Sequence, residues 1–192
     1  MSKEPRRLAV VLFNLGGPDR LEAVRPFLRN LFADPAIIDL PAPLRKILAE
    51  LIARSRNAKA CANYAVMGGA SPLLANTRAQ ALALQAALQD RADSARVFVG
   101  MRYWEPFIDE VAKDVAAFAP TDVVLAPLFP QFSTTTSGSA LAAWRGAYRG
   151  PGRTHGLCCW FANRGFIEAH VGAIKRTWET AGRPQARLLF SA

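Results

Sequence analysis

Two aromatic residues and an amide follow the apolar segment 123–128, which is typical of a buried strand. After this segment Gln131 lies between Phe129 and Phe132, ahead of the hydroxyl-rich residues 133–139. In an open α/β sheet, ligands bind outside the carboxyl ends of the strands, where such loops converge. A helix that starts among the hydroxyl groups would offer its free N–H groups to an anionic group. These residues predict a flat, largely apolar site for a planar organic ligand.

An arginine and two aromatic residues follow a second apolar segment in the same way. The run 97–101 is typical of a buried strand, and Arg102, Tyr103 and Trp104 come directly after it. Such a group is found at packing corners between domains, but it would equally line the pocket formed after residue 128. The residues alone leave both interpretations open.

The order of the elements indicates which fold holds these strand ends together. Apolar segments of strand length alternate with segments of helical periodicity, which is typical of a doubly wound α/β fold around a parallel sheet. The predicted strands are 8–15, 97–101, 123–128, 155–161 and 187–192, and the predicted helices are 21–32, 43–56, 73–90, 106–118, 137–148 and 166–181.

The turn after the first strand and the start of the third helix carry local signals. The strand ends in Gly16-Gly17-Pro18, but the Gly-x-Gly-x-x-Gly pattern of dinucleotide-binding proteins is absent, which argues against a nucleotide ligand. Asp19 and Glu22 have the spacing of a capping box. Ser71 before Pro72 predicts a helix that starts at this pair.

The glycine- and arginine-rich segment 149–153 is the best candidate for a linker. It predicts a first α/β domain over residues 1–150 and, over residues 151–192, a linker followed by the incomplete start of a second, similar domain. Because the last apolar run begins a new strand close to Ala192, we expect the second domain to continue beyond these residues.

Charge and cysteine content narrow the classes of ligand and compartment. The 192 residues carry a net charge of +9, from 24 basic and 15 acidic residues, which favours acidic ligands or an anionic surface but also suits a merely basic solvated surface. Three cysteines do not make a disulfide framework, and no zinc-site spacing is present. With no signal-peptide pattern and no apolar run of membrane-spanning length, we expect a cytoplasmic protein. We expect no nucleic-acid partner.

The predicted helix 43–56 has apolar residues at helical spacing and basic residues on its flanks. A helix of this kind turns its apolar face to the core or lies on a membrane surface, and the core-facing interpretation is preferred. The apolar residues are Leu44, Ile47, Leu48, Leu51 and Ile52.

Four short motifs, in order and at fitting separations, resemble signatures of the ferrochelatase family. They are residues 12–18 (LFNLGGP), 68–73 (GGASPL), 101–106 (MRYWEP) and 128–133 (LFPQFS). The resemblance extends over essentially the whole chain. It implies a chelatase fold of two similar doubly wound α/β domains with a porphyrin cleft between them, in an enzyme that inserts ferrous iron into protoporphyrin IX to make haem.

The resemblance also implies which residues form the porphyrin site. Arg56, Tyr64 and Ser71 match positions that hold the porphyrin, and an arginine suits its propionates because a planar guanidinium donates two parallel hydrogen bonds. The segment around Leu44 to Ile52 resembles the apolar lip through which substrate enters, which strengthens the membrane-surface alternative, with peripheral contact at the inner face of an anionic membrane. The positions that match the lining of the cleft are Leu15, Arg102, Tyr103, Phe129 and Gln131.

The catalytic residues that the resemblance implies lie beyond these residues. In the family a histidine follows the motif that ends here at Ser191-Ala192, and a glutamate comes later, so no catalytic or metal-binding residue is predicted within 1–192. We expect no resident cofactor and no iron–sulfur cluster: Cys158 or Cys159 could match one cluster ligand of some bacterial members, but the remaining ligands would lie past Ala192. His155 and His170 are predicted to be surface or structural histidines.

Two alternatives to a metal-inserting enzyme remain. The first is a porphyrin- or haem-binding module of the same fold with no activity of its own. The second is another α/β ligand-binding domain, such as a nucleotide binder, against which the missing glycine pattern and phosphate-binding loop count. On either the enzyme or the module interpretation, residues 1–192 alone are predicted to be catalytically inactive.

Overall fold

The computed structural model describes residues 5–89 and 94–189, which contain a parallel sheet of four strands in the order β2-β1-β3-β4. The central strand β1 is buried along almost its whole length, as expected for an apolar strand that pairs on both sides. The strands are β1 Arg7–Asn14, β2 Ser94–Met101, β3 Asp122–Pro127 and β4 Arg153–Gly156.

Helices connect the strands, and short tight turns precede two of them: a 3₁₀ turn Leu21–Ala23 before α1 and a π-helical turn Thr134–Gly138 before α5. None of the helices within 5–89 and 94–189 combines the length and apolar character that a membrane crossing requires. The helices are α1 Val24–Phe32, α2 Ala42–Val66, α3 Leu73–Leu88, α4 Ile108–Phe118, α5 Ser139–Ala147 and α6 Arg164–Thr180.

Alternate residues of β1 face opposite sides of the sheet. On one side Phe13 belongs to a buried cluster with Val115 of α4 and Trp144 of α5, and the centres of the Phe13 and Trp144 rings lie 5.8 Å apart. On the other side Leu12 belongs to a cluster with Ala81 of α3. Helices therefore cover both sides of the sheet, and the predicted doubly wound α/β fold is confirmed.

The position of the fourth strand differs from the prediction. The sequence predicts a strand at 155–161, whereas β4 ends at Gly156, because its pairing with β3 runs only from a bond between Arg153 N–H and the Thr121 carbonyl (3.0 Å) to one between Leu157 N–H and the Leu125 carbonyl (2.9 Å). The exposed residues of β4 carry no apolar strand signal. The predicted strand at 187–192 is wrong for 187–189, which form no strand, and residues 190–192 lie outside the described part of the chain.

By its internal contacts the chain divides into two compact units, Met1–Cys159 and Trp160–Ala192. The strand β4 follows the predicted boundary at residue 150 but completes the sheet of the first unit. The second unit contains α6, whose start is capped by the Asn163 side chain, which accepts a hydrogen bond from the Phe166 N–H (3.3 Å).

The helix α2 continues well beyond the predicted end at residue 56 and packs against α1. Its buried side consists of small residues, Ala49 and Ala53, which allow α1 to approach closely. Leu44, Ile47 and Leu51 are instead 56%, 60% and 56% exposed. The core-facing prediction is therefore wrong for these three leucine and isoleucine side chains, which point to the surface.

The predicted capping box at the start of the first helix is also wrong. The 3₁₀ turn that precedes α1 begins after Arg20 with no side-chain cap. The Asp19 carboxylate accepts hydrogen bonds from the Arg20 guanidinium and from Trp104 Nε1 (3.2 Å) instead. The predicted start of α3 is one residue too early, because Pro72 and not Ser71 is the N-cap, although the Ser71 hydroxyl accepts a hydrogen bond from the Leu73 N–H (3.3 Å).

Candidate ligand site at the strand ends

Main-chain hydrogen bonds join the loops that follow the first three strands. The Tyr103 N–H, after β2, donates to the Leu15 carbonyl, after β1 (2.9 Å). The Leu128 N–H, after β3, donates to the Phe13 carbonyl of β1 (2.7 Å). We call the surface formed by these three strand ends the strand-end edge. It brings together Leu15, Arg102 and Tyr103, which the sequence predicted to line one site.

The two glycines after β1 allow a second segment to reach this edge. Gly16 has a φ of +87°, and a Cβ at this residue would lie 3.0 Å from the Trp104 backbone nitrogen. A Cβ at Gly17 would lie 2.4 Å from the Ser71 hydroxyl oxygen, and the Ser71 N–H donates to the Pro18 carbonyl (2.8 Å). Gly17 therefore makes room for Ser71, which is one of the predicted porphyrin-holding residues, and Gly16 makes room for Trp104.

The helix α2 supplies the next two predicted residues. Tyr64 is half-buried in an apolar cluster that also contains Leu15 and Tyr103, and this burial raises the pKa of the Tyr64 hydroxyl. Arg56 is exposed, and its guanidinium carbon lies 5.4 Å from the centre of the Phe32 ring, a cation–π contact. Phe32 belongs to the same apolar cluster. The cluster therefore places Tyr64 beside Leu15 and Tyr103 of the strand-end edge, whereas Arg56 contacts the cluster through Phe32.

Arg102 is held in place by a buried carboxylate. Its Nη2 lies 2.8 Å from Asp34 Oδ2, in an ion pair whose side chains are 25% and 2% exposed. Its Nε donates to the Ser139 hydroxyl (2.7 Å), and its guanidinium carbon lies 5.0 Å from the centre of the Tyr103 ring. The charge of Arg102 is therefore balanced, and its orientation is fixed by three neighbours.

Asp34 accepts hydrogen bonds at both carboxylate oxygens. The Ala36 N–H donates to Oδ1 (2.8 Å), while the Tyr103 hydroxyl (2.8 Å) and the Ser139 hydroxyl donate to Oδ2. Burial acts to raise the pKa of Asp34, but these bonds and the charge of Arg102 outweigh it and hold the pKa below the ordinary value of 3.8. Burial, and then the Asp34 carboxylate, raise the pKa of Tyr103 to about 12. At neutral pH Asp34 is therefore ionised and Tyr103 is protonated.

Sequence analysis missed both Asp34 and Ser139. Asp34 follows α1 and precedes Pro35, a pattern typical of a turn, and Ser139 is one of several similar hydroxyl residues in its segment. The Asp34–Tyr103 bond joins residues 69 positions apart, so no local spacing rule connects them. The available signal was Arg102 itself, because a cation beside a buried strand end needs a carboxylate nearby.

The loop after β3 holds the last two predicted residues. Phe129 is half-buried, whereas Gln131 is exposed and the neighbouring Phe132 is 51% exposed. The chain then enters the π-helical turn, whose start is capped by Ser133, which accepts a hydrogen bond from the Thr135 N–H (3.2 Å). The Leu128 hydrogen bond places the start of this loop at the strand-end edge. The two aromatic rings follow directly in the loop for which the sequence predicted a flat ligand.

The first of the two histidines, His155, lies at the other end of the sheet from this edge. His155 Nε2 lies 3.2 Å from Asp122 Oδ1, and Asp122 begins β3, at the opposite end of that strand. His170 lies exposed on α6. Cys158 and Cys159 are exposed, with their sulfur atoms 2.8 Å apart. In the part of the chain that the structure describes, no three histidine, cysteine or acidic side chains are arranged to hold a metal ion.

The strand-end edge thus combines apolar surface with a few fixed hydrogen-bond donors. Leu15 and Tyr64 contribute apolar surface, and Arg102 contributes a positioned guanidinium. Neither acidic group of the edge is available to accept a proton from a ligand. The Asp34 carboxylate accepts hydrogen bonds from four neighbouring residues, and the Tyr103 phenol does not ionise near neutral pH. The arrangement suits binding of a flat, largely apolar, partly anionic molecule better than proton abstraction.

A doubly wound α/β domain with such an edge belongs to the class of α/β ligand-binding domains, in which the loops after the strands form the site. Comparison with known proteins makes the class specific. The family model described as Ferrochelatase matches residues 7–192. The chain belongs to the ferrochelatase family, as its four motifs indicated.

Curated relatives agree with the family assignment. A protein named Ferrochelatase from Phenylobacterium zucineum is 59% identical over 189 residues, which cover 97% of this chain and 55% of the relative. Proteins of the same name from Caulobacter vibrioides and Hyphomonas neptunium are 57% and 53% identical, again over 97% of this chain, and over 55% and 53% of their own length. The chain spans about half the length of the curated relatives it matches.

Proposed function

We propose that a protein containing this chain inserts ferrous iron into protoporphyrin IX to make haem. In this reaction two pyrrole N–H bonds break, the iron bonds to the ring nitrogens, two protons pass to a base, and the iron stays ferrous. The observation that carries the proposal is the family match over residues 7–192, together with the hydrogen bonds that join three of the four motifs at the strand-end edge and attach Ser71 of the fourth to Pro18.

The proposed roles follow from where the side chains lie. Arg56 presents an exposed guanidinium above the Phe32 ring and would bind a propionate, and Ser71 and Tyr64 would hold the edge of the porphyrin. The remaining predicted residues would line the site against the ring; these are Leu15, Arg102, Tyr103, Phe129 and Gln131.

The proton acceptor is proposed to come from residues that follow Ala192, as the histidine of the family does. Within residues 5–89 and 94–189, the acidic groups of the strand-end edge do not suit the task, because Asp34 is a committed carboxylate and Tyr103 a protonated phenol. Contacts from one wall can bind a flat ligand, but rate acceleration needs interactions specific to the distorted, deprotonating state. We therefore propose that residues 1–192 alone bind porphyrin weakly and do not insert metal. We also propose that they hold no resident cofactor and no iron–sulfur cluster.

We further propose that the protein is cytoplasmic and contacts an anionic membrane at its inner face through α2. Leu44, Ile47 and Leu51 form an exposed apolar surface on a helix that also carries Lys46 and Arg54, and the chain has a net charge of +9. Exposed apolar side chains beside basic residues favour binding to anionic lipid headgroups. The membrane would then supply the apolar porphyrin near Arg56 on the same helix.

The proposed function is tested with three purified proteins: residues 1–192, the complete Phenylobacterium zucineum relative, and a chimera in which the second half of that relative follows Ala192. Each is titrated with protoporphyrin IX by fluorescence and then assayed anaerobically with ferrous iron. We expect porphyrin binding by all three and metal insertion only by the relative and the chimera. Absence of binding by residues 1–192 contradicts the proposal, and binding without turnover by the chimera favours a non-catalytic porphyrin-binding module.

A further inference from the structure

We propose that Asp34 is a positioning residue of the strand-end edge, which acts by balancing the charge of Arg102 and fixing its guanidinium. As a result the edge offers hydrogen-bond donors to a ligand without offering a net positive charge. The inference rests on the proposed function, because that function requires one site to admit both a dianionic porphyrin and a divalent cation.

Asp34 itself cannot contact a ligand in this structure. Its side chain is 2% exposed, and its two oxygens already accept from the Ala36 N–H and from the Tyr103, Ser139 and Arg102 side chains. Arg102 is 25% exposed, so it is the member of the ion pair that a ligand can reach. Any influence of Asp34 on a ligand therefore passes through Arg102 or through the packing of Tyr103.

An unbalanced guanidinium at this edge would act in opposite directions on the two substrates. It would attract porphyrin propionates and repel ferrous iron, whereas the field of a close ion pair falls off much faster with distance than that of a single charge. A purely structural role for Asp34 predicts another pattern, because loosening of the edge would weaken the binding of every ligand alike. The direction of the effect on a charged and an uncharged ligand therefore separates the two roles.

The test compares protoporphyrin IX with its dimethyl ester, which has the same ring and no carboxylates. Binding to residues 1–192 is measured by fluorescence at low salt. Asp34→Asn keeps the shape of the side chain and removes its charge, so we expect tighter binding of the diacid on the order of fivefold, little change for the ester, and loss of the difference at high salt. In the metal-inserting chimera the same substitution should raise the KM for ferrous iron by a similar factor.

Two further variants keep the inference testable if Asp34→Asn does not fold. Arg102→Gln leaves the Asp34 carboxylate without its cation and should therefore lower the affinity for the diacid relative to that for the ester. The double variant Asp34→Asn/Arg102→Gln removes both charges and should restore the original ratio. As a matched control, Asp39→Asn removes a charge from an exposed acid in the same connection between α1 and α2, and it should leave the ratio unchanged.

The outcomes distinguish this inference from the proposed function. If the unsubstituted chain binds neither porphyrin, the proposed function fails and the inference fails with it. If the unsubstituted chain binds both, but Asp34→Asn weakens diacid and ester equally, or Asp39→Asn shifts the ratio as much as Asp34→Asn does, the proposed function stands and the positioning role is overturned.

Discussion

Two regions of the first unit each present an arginine to the proposed site, and they hold it in different ways. At the strand-end edge, Arg102 forms an ion pair with buried Asp34 and is a quarter exposed. On α2, Arg56 is exposed, rests over the Phe32 ring, and forms no ion pair with any residue that the structure describes.

The difference separates two tasks that the sequence could not tell apart. A paired and oriented arginine contributes shape and direction, whereas an unpaired one at the surface keeps its charge for an incoming carboxylate. Arg102 should therefore matter first for stability and geometry, and Arg56 for affinity. Four experiments, taken from the largest expected effect to the smallest, test this comparison.

The largest effect is expected from removing the partner of the buried carboxylate. Arg102→Leu leaves Asp34 buried without its cation, so the free energy of unfolding should fall by about 2–4 kcal/mol, somewhat less than for a fully buried pair because Arg102 is partly exposed. Urea unfolding followed by circular dichroism measures the loss. Arg56→Leu is the matched control and should cost less than about 0.5 kcal/mol. Equal losses in the two variants would remove the basis of the comparison.

The second effect concerns ligand affinity, for which Arg56 is expected to matter more than Arg102. Arg56→Ala should weaken protoporphyrin IX binding by about 1–3 kcal/mol, since a propionate loses a charged donor, and Ser71→Ala should act in the same direction. Fluorescence titration of residues 1–192 measures both. Arg54→Ala, two residues earlier on α2 and paired with Glu50, serves as the control. Unchanged affinity in both the Arg56 and Ser71 variants would refute the site assignment.

The third experiment tests whether the exposed apolar side chains of α2 bind an anionic membrane. Residues 1–192 should co-sediment with anionic liposomes, and Ile47→Glu with Leu51→Glu should reduce the bound fraction by on the order of tenfold, since both side chains leave water when the helix binds. The helical circular dichroism signal should persist, because neither side chain is buried in the fold. Unfolding of the double variant would instead favour the core-facing interpretation of this helix.

The smallest effect is expected from pH. The pKa of Asp34 is lower in the folded chain than its ordinary value of 3.8, so its contribution to stability is present above that pH and is lost as the pH falls through the folded value. Between pH 5 and pH 3, Asp34→Asn should consequently lose less stability than the unsubstituted chain. Urea titrations at the two pH values provide the measurement. Parallel losses would mean that the Asp34 pair does not respond to acid in this range.

The sequence by itself determined the fold class and the positions of the strand ends. Runs such as 8–15 and 123–128 are apolar enough to be buried on both sides of a sheet, and alternation with helices leaves few arrangements other than a parallel doubly wound fold. The serine before Pro72 is a local signal that places the start of α3 to within one residue, whereas the glycines before Pro18 mark a turn whose close neighbours, Trp104 and Ser71, no local pattern identifies.

Tertiary structure alone decided how the side chains at those strand ends are used. The partner of Arg102 lies at the end of α1, the outward side of α2 depends on which residues α1 covers, and β4 joins the sheet through main-chain bonds rather than through an apolar pattern. Each of these depends on contacts between segments far apart in the chain, whereas periodicity reports only which residues share a face. Burial of one carboxylate, Asp34, then sets the charge and the orientation of the predicted site, because a charge inside the fold must be paired where it lies.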